Sequence, residues 1–271
     1  MGINIIRTDK MKNQLRELLN AGKPTLGTHV ICPWPGMVEM VGKSGAFDYI
    51  EYVGEYSPFS IDQMENFGRA IELYPSMSSM MKVEEQTKGF IATRAIDAGI
   101  QNVLFCDCRS AEDAKEMVSI VRAETPVDGG IHGGGMRRGS WGYDTPADWV
   151  KGMKDTVVAL MIEKKGAMEN LEAILAVDGV DMVQFGPLDY SISVGMVEEM
   201  RSEKILNVQK DMVKKALAAN VAPRVEIGSF EQAKPWLDLG VRHFCIGWDI
   251  MTIRMWCKEQ GEEMKKLLGT A

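Results

Sequence analysis

Short apolar runs recur along the chain, separated by stretches whose apolar residues are spaced three and four apart. The runs cover 25–31, 47–53, 77–82, 102–106, 157–162, 182–185, 221–226 and 243–246. Continuous apolar runs of this length mark strands buried on both faces, as in parallel sheets. Helical spacing covers 36–44, 61–73, 86–98, 111–122, 167–176, 203–219, 230–239 and 250–268, with a short helix expected at 148–155. Before the first strand, Thr8 or Asp9 can cap a helix that buries Met11, Leu15, Leu18 and Leu19 and stops at Gly22. Strands that alternate with helices in this way predict one (β/α)8 TIM barrel over 1–271, with an N-terminal and a closing C-terminal helix. A doubly wound open sheet is the alternative, but no GxGxxG follows the first strand.

One segment, 157–191 (VVALMIEKKGAMENLEAILAVDGVDMVQFGPLDYS), reads as a complete strand–helix–strand unit. Glu163 stands where the first of its strands ends. Asp189 follows the second strand, after Gly186-Pro187. Ligands of a parallel barrel bind at the C-terminal ends of its strands, so the two carboxylates would face one point. Oxygen ligands so placed suit a divalent cation. A solvated acid and a helix cap are the competing reading of the same two residues.

The tripeptide MIE at Glu163, then AMENLEAILAVDGVD, then FGPLDYS, resembles the metal-binding core of the HpcH/HpaI family of class II pyruvate aldolases. That family also contains 2-keto-3-deoxyglucarate-type aldolases and 2,4-dihydroxyhept-2-ene-1,7-dioate-type enzymes. The resemblance extends over about 26–256. It implies a (β/α)8 barrel in which Glu163 and Asp189 hold Mg²⁺, Mn²⁺ or Co²⁺. The metal in turn would hold the carbonyl and carboxylate oxygens of pyruvate and stabilise the enolate formed on carbon–carbon cleavage. Backbone N–H groups around Gly186, Leu188 and Asp189 would take the carboxylate. The resemblance also implies that the closing helix packs on a neighbouring subunit, giving a dimer-based homo-oligomer, with a trimer of dimers, a hexamer, as the form expected.

The chain departs from the family pattern where a base and an enolate cation are expected. The loop usually written GEHAP is Gly54-Glu55-Tyr56-Ser57-Pro58, so Tyr56 replaces the His. The third strand ends in Lys82 instead of Arg, and the family Gln two residues before the metal Glu is Met161. Asp97, which would pair with the missing His, is present. Tyrosine titrates near 10 and is a poor base at neutral pH, and lysine lacks the bidentate fork of arginine. His29, at the end of the first strand, is the replacement acid or base, or else a histidine packed against the barrel wall. Glu51 interrupts an apolar strand and would pair with Lys82 if it faces inward. Asp107 is a further strand-end acid. Arg137, with Arg138 and His132 on the glycine-rich connection 124–145, would clamp a distal anionic group of the substrate. His243, at a strand start, is structural.

Composition narrows the partners. A net charge of −7 argues against a nucleic-acid surface. No apolar run approaches a membrane span, and the N-terminal residues lack the apolar core of a signal peptide. The five cysteines are odd in number and lack zinc-ribbon spacing, as expected of reduced thiols in a cytoplasmic protein. The expected activity is a metal-dependent carbon–carbon lyase acting on a 4-hydroxy-2-keto acid through a metal-bound pyruvate-type enolate. Another metal–enolate reaction (decarboxylation, hydration, elimination or condensation) and a non-catalytic ligand binder remain as alternatives, because of Tyr56 and Lys82.

Overall fold

The computed structural model describes residues 12–135, 137–138 and 142–270. Eight parallel strands close into a barrel in sequence order: β1 (Thr25–Val30), β2 (Tyr49–Val53), β3 (Ser78–Val83), β4 (Asn102–Phe105), β5 (Val158–Ile162), β6 (Met182–Phe185), β7 (Ala222–Ile227) and β8 (His243–Trp248), with β8 paired back onto β1. The helices around it are α1 (Gln14–Asn20), α2 (Pro35–Ser44), α3 (Ile61–Ile71), α4 (Lys88–Ala98), α5 (Ala111–Ile120), α6 (Pro146–Met153), α7 (Lys165–Glu169), α8 (Leu171–Leu175), α9 (Pro187–Ser193), α10 (Glu203–Ala218), α11 (Lys234–Leu239) and α12 (Asp249–Leu268). The expected (β/α)8 architecture is the one observed, with strand ends shifted by a residue or two.

Three helices differ from expectation. Asn13 caps the first helix by accepting from the Arg16 N–H; Thr8, Asp9 and Met11 lie outside the described residues. The helix expected over 167–176 is two short helices, because Asn170 leaves helical geometry (φ −110°, ψ 16°) and its amide donates to the carbonyls of Gly166 and Arg109. The stretch 230–239 opens as one 3₁₀ turn, Phe230–Gln232. Pro235 then sits in the first turn of α11, where its missing N–H costs nothing.

Two apolar layers follow from the period of two along each strand. Residues facing the helices, among them Val30, Ile50, Val103, Leu160, Ile162 and Val183, join the helix faces in one large core. Residues facing the axis form a smaller cluster of Tyr49, Met80, Leu104, Val157, Ala159, Met161 and Met182, with Leu15 of α1 packed into it. The Leu15 N–H donates to Ser78 Oγ at 3.0 Å, and Asn13 Nδ2 to Asn102 Oδ1 at 2.7 Å. Helix α1 therefore closes the N-terminal end of the barrel and leaves the C-terminal end open. Gly27 gives the Tyr49 ring its place inside: a Cβ there would fall on the ring. Helix α12 buries none of its residues in the chain, and Ile253, Trp256, Leu267 and Leu268 are exposed. No helix among the described residues is long and apolar enough to cross a membrane.

Candidate active site

A cavity of about 500 Å³ opens at the C-terminal ends of the strands. His29, Tyr56, Lys82, Glu163, Gly186, Leu188 and Asp189 all line it. Residues drawn from β1, the β2 and β5 ends, β3 and the start of α9 thus converge on one space.

Glu163 lies one residue beyond β5 and is 1% exposed. Its Oε1 accepts the Asp107 N–H at 3.0 Å. Asp107 reaches that position from the end of β4 with φ 59°, a left-handed conformation that few residues other than glycine adopt. Strain of this kind collects at functional sites. Gly186 packs against the other side of the carboxylate, where a Cβ would meet Glu163 Oε2. Burial pushes the Glu163 carboxyl up to about 7, against the opposing pull of Lys82 and the Asp107 hydrogen bond.

Asp189 sits in the first turn of α9. Lys164 lies between it and Asp107, its Nζ 3.0 Å from Asp189 Oδ1 and 2.9 Å from Asp107 Oδ1. Asp107 also receives Arg109 at 3.3 Å. Three carboxylates thus edge this corner, and Lys164 is the cation that balances two of them.

Lys82, at the end of β3, is buried. Its Nζ is 2.5 Å from Glu55 Oε2 and donates to the Tyr56 hydroxyl at 3.3 Å. Burial alone would lower its pKa, but Cys106, Glu55 and Glu163 raise it further, so it stays an ammonium. Tyr56 is 54% exposed at the rim. Desolvation still drives its phenol up, against the pull of Lys82, so it keeps its proton at neutral pH.

His29 meets Cys245 Sγ through Nδ1 at 3.5 Å, and its Nε2 lies 3.9 Å from Glu226 Oε1. The Trp248 ring packs edge-on against it, centroids 5.2 Å apart.

Some expected site residues have other partners, and some lie elsewhere. Glu51 does face inward, but its partner is Arg224, not Lys82: Arg224 Nη2 is 2.5 Å from Glu51 Oε2, and Arg224 Nε donates to the Tyr49 hydroxyl at 2.8 Å. Both members of the pair are essentially fully buried, and together they span the barrel interior from β7 to β2. Arg137 does not reach the cavity. Its Nη1 donates to the Ala98 carbonyl at 2.6 Å and its Nη2 to Glu72 Oε1 at 2.9 Å, tying together the C-terminal ends of α3 and α4. Arg138 also binds Glu72, at 3.1 Å. Asp97 lies in the last turn of α4 beside His132, Oδ1 to Nε2 3.3 Å, and within the chain it does not approach Tyr56. These groups sit where helices return to the strand starts, at the closed end of the barrel. His243 shares 3.0 Å with Thr25 Oγ1, and burial lowers its pKa to about 4, as befits a structural residue.

Glu55, Lys164, Gln184, Arg224 and Glu226 were not singled out from sequence. The signal for three of them was present. In the run APRVEI, Arg224 and Glu226 stand two apart, so both charges share the face turned to the axis. Gln184 similarly shares the inner face of β6 with Met182.

The fold and the cavity now stand beside known proteins. Residues 63–253 match the family described as HpcH/HpaI aldolase/citrate lyase. The chain belongs to that family. It is thereby an enzyme of the lyase class. A 4-hydroxy-2-oxo-heptane-1,7-dioate aldolase of Salmonella arizonae is 27% identical over 245 residues, covering 88% of this chain and 89% of the relative. The crystal structure of an HpcH/HpaI aldolase from Desulfitobacterium hafniense superposes with a TM-score of 0.83 at 21% identity, over 95% of this chain and 98% of that one. A citrate lyase beta subunit from M. tuberculosis, complexed with oxaloacetate and magnesium, superposes at 0.56 with 11% identity, over 85% of this chain and 93% of that one. At these identities the two structures bear on the fold alone.

Proposed function

We propose that this chain is a divalent-metal-dependent aldolase that cleaves a 4-hydroxy-2-keto acid into pyruvate, or a close relative of it, and an aldehyde. The observation that carries this reading is the convergence of Glu163, Asp189, Lys82 and His29 on one cavity at the strand ends. The name of the Salmonella relative points to the same substrate class.

The donor set fits a hard divalent cation. Glu163 is a carboxylate withdrawn from water with one backbone N–H on it and a glycine cleared beside it. Asp189 is held within the same cavity by an ammonium group. No cluster of three or more His, Cys, Asp or Glu among the described residues forms a ready-made cage. Two carboxylates with water and substrate oxygens completing the shell are typical of Mg²⁺, and Mn²⁺ or Co²⁺ can take the same oxygens. When bound, such a cation polarises the keto group and stabilises negative charge on its oxygen.

The chain's own residues supply the rest. The Leu188 and Asp189 N–H groups open α9, ahead of its first intrahelical bond, and take the substrate carboxylate. Lys82 places a permanent positive charge beside the developing enolate oxygen. His29 takes the proton of the 4-hydroxyl. As that proton leaves, the O–H pair becomes the aldehyde C=O, the C3–C4 bond breaks, and its pair passes into the enolate. Reprotonation at C3 gives pyruvate. Tyr56 keeps its proton and serves as a hydrogen-bond donor at the rim.

A second reading has one observation in its favour. Lys82 is shared with Glu55 and Tyr56, and no histidine stands at the family position, so decarboxylation or condensation through the same enolate suits this wall as well. The exposed apolar stripe of α12 supports assembly onto a second copy, as a dimer-based oligomer. The test is deuterium exchange into the methyl group of pyruvate, followed by NMR with Mg²⁺ or Mn²⁺. Exchange is expected, and Lys82→Met should slow it by about 10²–10³. Absence of exchange in the wild-type protein would overturn the enolate reading.

A further inference from the structure

The metal-side corner occupies only part of the cavity. Its other wall, built from β1, β6, β7, β8 and α11, carries His29, Gln184, Glu226, Trp236 and Trp248. Gln184 is 4% exposed. Its Nε2 donates to Glu226 Oε2 at 3.2 Å, while its Oε1 has no partner among the described residues. The Trp248 indole N–H is likewise unpartnered among them. A buried amide oxygen and an indole N–H without partners among the described residues, on side chains that line a cavity, are groups that a ligand's polar atoms complete. One is an acceptor and the other a donor, the pair that a hydroxyl group satisfies in both of its roles.

The charges of the cavity exclude another kind of ligand. Among the described residues that line it, Lys82 is the single cation, and Glu55 already holds it. Glu51, Glu163, Asp189 and Glu226 are the acids. Arg224 stands behind Glu51 and is not part of the lining. Arg137, the cation expected to clamp a distal carboxylate, is bound to Glu72 and the Ala98 carbonyl at the closed end of the barrel.

Resting on the aldolase reading above, we propose that this wall is the subsite for the aldehyde-derived half of the substrate, and that it selects an uncharged, hydroxylated chain over one ending in a carboxylate. Hydroxyls of that chain donate to Gln184 Oε1 and Glu226 and accept from the Trp248 indole. The two tryptophans supply apolar surface for its carbon skeleton. A terminal carboxylate would meet Glu226 with no free cation on the lining to offset it, and like charges brought together disfavour binding strongly.

The test uses the synthetic direction, in which the methyl carbon of pyruvate bonds to the aldehyde carbon and the former carbonyl oxygen takes a proton. Initial rates with Mn²⁺ are compared for glyceraldehyde, succinic semialdehyde and propanal. Glyceraldehyde should exceed both others in kcat/KM by at least about tenfold. Glu226→Leu should cut the glyceraldehyde-to-propanal ratio by about tenfold, the worth of one hydrogen bond to a charged group. Gln184→Leu should cut it similarly. Because Glu226 is half exposed, its variant keeps the test alive if the Gln184 variant fails to fold. Preference for succinic semialdehyde or propanal, or an unchanged ratio in the Glu226 variant, overturns the subsite. Pyruvate exchange without addition to glyceraldehyde overturns the subsite alone. A protein that neither exchanges nor adds pyruvate to any of the three overturns the aldolase reading and the subsite with it.

Discussion

The two ends of the barrel carry similar side chains and use them differently. At the closed end, Asp97, His132, Glu72, Arg137 and Arg138 bind one another and the carbonyl that ends α4. At the open end, Glu163, Asp189, Lys82, His29 and Gln184 line a cavity, and they include a buried acid and an amide oxygen without a partner among the described residues. Charge and residue type therefore do not separate a structural cluster from a reactive one. What separates them is that the closed-end groups, His132 Nδ1 apart, pair off with one another, whereas those at the open end line a cavity. Satisfied groups hold elements together; groups left short of partners are ready for a ligand.

The largest effect expected at the open end comes from His29. His29→Ala should lower turnover by about 10²–10⁴, the usual worth of a general acid or base. Unchanged turnover would assign His29 to wall packing with Trp248. A smaller effect belongs to Glu163 and is thermodynamic. Its carboxyl sits above the unfolded value of 4.5, at about 7, so the fold favours the protonated form. The metal-free protein should therefore lose stability as pH rises from about 4.5 to 7 and level off above, by on the order of 3 kcal/mol from this group. Urea titrations at several pH values measure that slope, and Glu163→Gln should remove it. A Glu163→Gln variant with the same slope would relocate the effect to another group.

The smallest effect sharpens the contrast from the other side. Arg137→Ala removes two hydrogen bonds at the closed end and should cost about 1–2 kcal/mol, a few degrees in melting temperature, with turnover unchanged. A large fall in kcat without loss of stability would place Arg137 in the chemistry after all.

The barrel was legible because its strands announce themselves as apolar runs, and because Glu163 and Asp189 follow two of them in order. Position at the end of a strand also located Lys82 and His29. The connection 124–145 misled, since a glycine-rich loop bearing arginines suggests an anion clamp, yet its route is set by long-range contacts with α3 and α4 that have no local pattern. The Glu51–Arg224 pair was hidden for a related reason. Each charge marks an inward position on its own strand, but which charges meet across the axis depends on barrel register. Asn170 breaking a helix, and the left-handed Asp107 that aims its N–H at Glu163, are likewise settled by tertiary contacts.

The most direct test of the account is a calorimetric titration with Mn²⁺ of the wild-type protein, Glu163→Gln and Asp189→Asn, each checked for an intact fold by circular dichroism. The wild-type protein should bind one equivalent per chain, and each substitution should remove most of that affinity without unfolding the barrel, because both ligands stand at strand ends and not in the core. Wild-type affinity in both variants would contradict the assignment of the open end as a metal site.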